Sequence, residues 1–307
     1  MNGTAKSAFV IASIAIALAA LWLWIRNFDV SGAAFFDLLH RLRWAAIVPL
    51  ATLLVGHVAL SSWRWQLIEE RLSGVRPQFS SAYASGAFAL GLGTILPSPI
   101  VNITCRALAN RYAGSSSIRG ALSGTLDQLA DFAVALLFAI PAVIALHQRD
   151  ISLYLVGSAA AAVIGVTALA PLAAVGKWAA SHNRHSWWRQ IAPLLDRKIL
   201  ARLYGISLMR LANATFMNLL IQSATGAATA SAVTIAVPIV TVATSVAMLP
   251  GAIGISEWSF SKTFSAFEIA NPDIVTFVLA NRILLTTLSV FLATTTLVAI
   301  TVSLRRR

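Results

Sequence analysis

Seven charged side chains stand inside stretches of the chain that are otherwise apolar: Arg106, Asp127, Asp131, Arg210, Glu257, Lys262 and Arg282. Asp127 and Asp131 fall one helical turn apart on a common face, the spacing of a carboxylate pair able to share acid–base work. In a hydrocarbon setting each such charge costs at least ~2.5–3.5 kcal/mol, so each needs a partner or a wet cavity. Pairing Arg106 with Glu257 or Asp127, and Arg282 with Asp131, would lock a helix bundle. The same residues suit a polar path for a charged headgroup whose tails stay in lipid. On that path Arg106 and Arg282 would meet phosphate, while Glu257, Asp127 and Asp131 would bind a cationic headgroup or a coupling ion. Arg210 with Asn213, and Lys262, are secondary candidates. The first pair serves equally as interhelical hydrogen bonds, and the lysine can snorkel outward.

Several other chemistries are excluded or disfavoured. Gly91-Leu-Gly-Thr follows no strand and precedes no lysine, so it is no nucleotide loop, and no Walker motif supplies ATP coupling. The single cysteine, Cys105, permits no intramolecular disulfide. His182 and His185 lack a third ligand, so no metal site and no cofactor are expected.

The elements that carry these residues are membrane helices. The 307 residues are 58% hydrophobic and 11% charged, with mean hydropathy +0.78, against about 25% charged in ordinary soluble domains. Apolar runs near 8–25, 45–63, 118–146, 152–176, 199–225 and 274–304 approach or exceed the ~20 residues a spanning helix needs. The net charge of +12 does not indicate nucleic acid, because the basic residues sit in short connections between spans. Residues 26–44 alternate Phe35, Phe36, Leu38 and Leu39 with charges, which predicts a short amphipathic interfacial helix. Trp63, Arg64 and Trp65 are expected to anchor a helix end at the interface. The basic stretch 177–202, with Trp187 and Trp188, is expected to be a loop.

Two segments resist assignment as simple crossings. The first ends in Leu96-Pro-Ser-Pro-Ile100, and the second centres on Leu249-Pro-Gly-Ala-Ile253. Pro97 and Pro99, and Pro250, Gly251 and Gly254, would break continuous helices there. The segments share a Leu-Pro-small-x-Ile core, each followed by a charge and then a long helix with a charge of opposite sign. Treated as hairpins that enter and return, with the N-terminus inside, they leave 15 of the 23 Lys and Arg residues cytoplasmic. Four lie outside and four at membrane depth. The expected fold is therefore all-α: one transmembrane domain, 1–307, with pseudo-repeat halves near 45–176 and 199–304 and two inverted re-entrant hairpins.

At motif level the chain resembles the membrane domain of lysyl-phosphatidylglycerol synthases, the flippase-like or UPF0104 family. The carrying residues are Trp63-Arg-Trp-Gln-Leu67, Leu96-Pro-Ser-Pro with Arg106, Asp127 and Asp131, and Leu249-Pro-Gly-Ala-Ile-Gly-Ile-Ser-Glu257 with Asn281-Arg282. Pro99 and Asn102 depart from it, standing where the family often has further glycines. The resemblance implies two re-entrant hairpins and movement of amphiphilic lipids between leaflets. It also implies that the aminoacyl-transferase domain of two-domain members is not part of this chain.

The sequence thus predicts a non-enzymatic lipid translocase in a bacterial inner membrane, with both termini cytoplasmic and membrane lipids as its partners. The alternative from another class is a scaffold for a lipid- or glycan-modifying enzyme, docking through 177–202.

Overall fold

The computed structural model describes residues 3–28, 30, 32–114, 116–182 and 190–305. Among them are eleven α-helices and two short 3-10 turns, with no strand. In chain order the helices are α1 (Gly3–Asn27), α2 (Gly32–Arg41), α3 (Ile47–Ser73), α4 (Phe79–Leu92), α5 (Ser98–Tyr112), α6 (Ser117–Gln148) and α7 (Ile151–His182). They continue with α8 (Arg197–Thr225), α9 (Ala230–Ala247), α10 (Ile255–Ala266) and α11 (Asn271–Arg305).

Local chemistry sets the helix ends. Asp196 caps α8 by accepting from the Lys198 and Ile199 amides at 2.9 and 3.3 Å, and Gly226, at φ 65°, closes the same helix. Thr229 caps α9 at the Ala232 amide, and Gly74, at φ 75°, ends α3. The prolines of the first broken segment fall where a helix tolerates them: Pro97 caps α5 and Pro99 sits in its first turn.

Five described segments are long and apolar enough to cross a bilayer: Trp44–Ser73, Ser117–Gln148, Ile151–Trp178, Ala230–Ala247 and Asn271–Ser303. Helix α8 has 29 residues but carries Arg202, Arg210, Asn213, Asn218 and Gln222. The chain is a multi-pass helical membrane protein. Large apolar side chains on the outside, such as Ile140, Val156 and Phe291, are then lipid-facing rather than misplaced.

Two sets of helices repeat one contact pattern. Helix α3 packs on α4, α4 on α5 and α5 on α6; likewise α8 packs on α9, α9 on α10 and α10 on α11. The cross-contacts match as well, α4 with α11 and α9 with α6, while α3 and α8 pack on each other. Where the two breaks meet, Pro97 and Pro250 form an antiparallel bridge, and the Gly251 amide donates to the Leu96 carbonyl at 3.2 Å. Pro97 and Pro250 are the residues that the shared Leu-Pro core aligns with each other.

Outside this arrangement, α1 fastens to the second broken pair. The Trp24 indole donates to the Ser261 hydroxyl at 2.8 Å, and the Trp258 indole to the Ala20 carbonyl at 2.9 Å. The aromatic core beneath joins Phe260, Phe264 and Phe277, the last two edge-on with centroids 4.9 Å apart.

Two expectations about connections are corrected. Both ends of the 177–202 stretch are helical, since α7 continues to His182 and α8 begins at Arg197. His185, Trp187 and Trp188 lie outside the described residues. Helix α3 does not stop at Trp63 but runs to Ser73, and Trp65 is fully buried rather than interfacial.

Candidate functional site: an arginine-lined cavity where the breaks meet

A cavity of about 380 Å³ opens beside the Pro97–Pro250 bridge. Helix α3 contributes His57 and Ser61, α8 contributes Arg210 and Asn218, and α11 contributes Asn281 and Arg282. The two turns add Gly93, Thr94, Gly251 and Ala252. Its volume falls in the range of ligand pockets.

Gly251 is indispensable to that junction. It adopts φ +56°, and a Cβ there would stand 2.3 Å from the Thr94 carbonyl oxygen. Its own carbonyl accepts from Arg282 Nη1 at 2.6 Å, which draws the arginine to the break. Glu257 reaches back from the first turn of α10 to accept the Gly254 amide at 2.7 Å, capping the helix. Its other oxygen stands 3.7 Å from Arg282 Nε. The Asn281 amide donates to Asn218 Oδ1 at 2.6 Å and ties α11 to α8.

A second charge cluster lies behind one wall. Arg64 donates through Nε to Asp127 at 2.7 Å, through Nη2 to the Asp127 carbonyl at 2.8 Å, and through Nη1 to Ser207 at 2.6 Å. It also grips both oxygens of Asp131, which is bound in turn by Arg210. Arg210 reaches His57 Nε2 at 2.9 Å and so links this cluster to the cavity. One cluster therefore joins α3, α6 and α8. Removing one member would leave an uncompensated charge in the bundle.

Several expected pairings do not form. Arg106 makes no ion pair with Glu257 or Asp127, nor Arg282 with Asp131, among the described residues. Arg106 is fully buried. It donates to the Ala82 carbonyl and Ser85 hydroxyl, both at 2.7 Å, and to Ser61 at 3.1 Å, and its guanidinium lies 4.7 Å from the Trp65 ring centroid. Its ligands are hydroxyls and a carbonyl because the side chain reaches across the small residues of α4, Ala82 and Ser85, to Ser61 of α3. Gly120 and Gly124 of α6 let that helix approach α5 closely, since a Cβ at either would stand 2.8–3.1 Å from the α5 backbone.

Asp127, Asp131 and Glu257 stay out of the cavity lining, as do Arg106 and Asn213; Arg210 and Arg282 are in it. Asn213 packs against Gly56 instead. Lys262 is exposed and sits over the Trp258 ring at 5.4 Å, away from the cavity.

Arg64 is the residue that sequence reasoning missed. Counted with the cytoplasmic loops, it is fully buried and is the hub of the charge cluster. Its neighbours Ser61 and Ser62 were the available signal, since small hydroxyl residues mark a packed helix face rather than an interfacial end. His57 and Gln128 line the cavity and were likewise unmarked.

A bundle of membrane-crossing helices, with two broken pairs joined over a polar cavity, defines a polytopic membrane domain with an internal polar site. The family described as Lysylphosphatidylglycerol synthase TM region matches residues 10–293, nearly the whole chain, and the chain belongs to that family. No curated protein and no solved structure gives a significant match.

Proposed function

We propose that the chain is a lipid translocase, moving an amphiphilic lipid between leaflets with its headgroup in the cavity and its acyl chains in the bilayer. One observation carries this proposal: a cavity bearing Arg210 and Arg282 among hydroxyl, amide and apolar side chains is built between apolar helices, at the point where two helices are interrupted. Discontinuous helices expose backbone polar groups at membrane depth only where protein or a wet cavity satisfies them.

Helices α4, α5 and α10 have 14, 15 and 12 residues, about 18–22 Å each, against a hydrocarbon core of ~30 Å. Helix α9, with 18 residues, is long and apolar enough to cross, but its partner α10 is not, and the proposal treats both broken pairs as hairpins that enter and return. With that topology α3, α6 and α7 cross before α8, so the matched helix sets enter the membrane from opposite sides. The basic excess supports a topology with both termini in the cytoplasm of a bacterium, the inner membrane being the setting proposed. The chain is assigned transport, with no bond made or broken, and membrane lipids as its partners.

Purified protein reconstituted into liposomes with a fluorescent phospholipid provides the test. Quencher added outside should reach the inner-leaflet probe faster than in empty vesicles. Quenching at the empty-vesicle rate would overturn the proposal.

A further inference from the structure

The cavity's charge is one-sided. Its ionisable lining consists of His57, Arg210 and Arg282, with no carboxylate among the described residues. The three nearby carboxylates are engaged elsewhere. Asp127 is fully buried against Arg64, and Asp131 is held by Arg64 and Arg210. Glu257 accepts from the Gly254 amide and the Ser256 hydroxyl at 2.7 and 2.8 Å, and its side chain is 4% exposed. None of them lines the cavity, and the most exposed, Asp131 at 24%, is held by two arginines.

The arginines, by contrast, have donors to spare. Arg282 stands 3.7 Å from its carboxylate, and its side chain is 31% exposed. Arg210 leaves its buried Nε without a partner, although its side chain is only 11% exposed. Arginine cannot shed its proton, so in a low-dielectric setting these groups are satisfied by an incoming anion. A guanidinium fork matches phosphate oxygens in pairs, which an ammonium cannot do. A choline or ethanolamine group would need a carboxylate or an aromatic cage. The lining offers neither, since among the described residues Phe260 is its one Phe, Tyr or Trp ring.

Resting on the lipid pathway proposed above, we infer that this cavity selects an anionic phosphate headgroup, with Arg282 as its first ligand and Arg210 as its deeper one. The carboxylates are then counter-ions and caps that hold the arginines in place, and they are not substrate ligands.

Thermal unfolding of the detergent-purified full chain tests this with three probes: dihexanoyl phosphatidylglycerol, dihexanoyl phosphatidylcholine and inorganic phosphate. Phosphatidylglycerol should raise the midpoint with half-saturation about tenfold lower than phosphatidylcholine. Arg282→Gln should erase that preference, and Arg282→Lys, which keeps the charge but loses the fork, should retain part of it. Lys262→Gln, remote from the cavity, should behave like the parent protein. Equal stabilisation by both lipids, or an unchanged preference in Arg282→Gln, would overturn the inference. Stabilisation by inorganic phosphate as strong as by phosphatidylglycerol would overturn the lipid assignment. Transport is judged separately, in vesicles carrying both labelled lipids. Selective binding without movement leaves the headgroup inference standing and removes the translocase; equal binding with rapid movement of both lipids does the reverse.

Discussion

Around Asp131, arginines from two helices close on one carboxylate, while around Glu257 a single arginine stands off at 3.7 Å with its flank open to a cavity. Both regions place opposite charges inside an apolar bundle, yet they differ in what the charges do. In the first, Arg64 is bound to Asp127, Asp131 and Ser207 and the cluster clamps α3, α6 and α8, with only Asp127 Oδ2 and Arg210 Nε left without partners among its charged atoms. In the second, Glu257 spends one oxygen capping α10 and the arginine keeps donors free. Arg64, enclosed by its partners, belongs to the framework; Arg282, held loosely at a chain break, is available to a ligand, and Arg210 stands between the two, paired with Asp131 yet lining the cavity.

The largest expected effect breaks the clamp. Arg64→Leu leaves Asp127 and Asp131 under-compensated and should cost about 3–5 kcal/mol in denaturant unfolding of the detergent-solubilised protein. Adding Asp127→Leu in the same chain should recover part of that loss, because an apolar replacement of a buried pair is often tolerated. Next comes the junction. Gly251→Ala meets both a left-handed backbone and the Thr94 carbonyl, and should cost about 1–3 kcal/mol and abolish translocation. Gly114→Ala has φ +78° but open space around it, so it should lose at most about 1 kcal/mol and leave translocation intact.

Arg282→Gln sharpens the contrast from the other side. Its long, partly exposed pairing predicts a stability change under about 1 kcal/mol, with a drop of roughly tenfold in lipid movement. A loss of stability as large as that of Arg64→Leu would erase the distinction between the two regions. A comparably small effect, with no loss of lipid movement, is expected where α1 joins the bundle. Trp24→Phe removes one buried hydrogen bond to Ser261 and should cost about 1 kcal/mol in the same unfolding measurement.

What could be read from the residues follows a physical pattern. Long apolar runs report hydrophobic thickness directly, so every expected span has a helix at its position, and the amphipathic spacing of 26–44 foretells α2. Prolines and glycines marked both breaks because their backbone limits are local. Partner choice was not local. Which arginine meets Asp127 depends on how α3 lies across α6, and nothing at Arg64 itself announces that α3 continues past Trp63. Glu257 looked like a ligand from its charge alone. Its reach back to the Gly254 amide depends on the glycine turn that starts α10.

The most direct measurement concerns water at the centre of the bundle. With Cys105→Ser as background, Thr286→Cys places a thiol in the cavity lining, and Phe291→Cys places one on the 65% exposed, lipid-facing side of the same helix. In vesicles, a water-soluble thiol reagent should modify Thr286→Cys and spare Phe291→Cys. If Thr286→Cys is as inert as Phe291→Cys, the cavity is dry and the account of a hydrated headgroup site between the two breaks is contradicted.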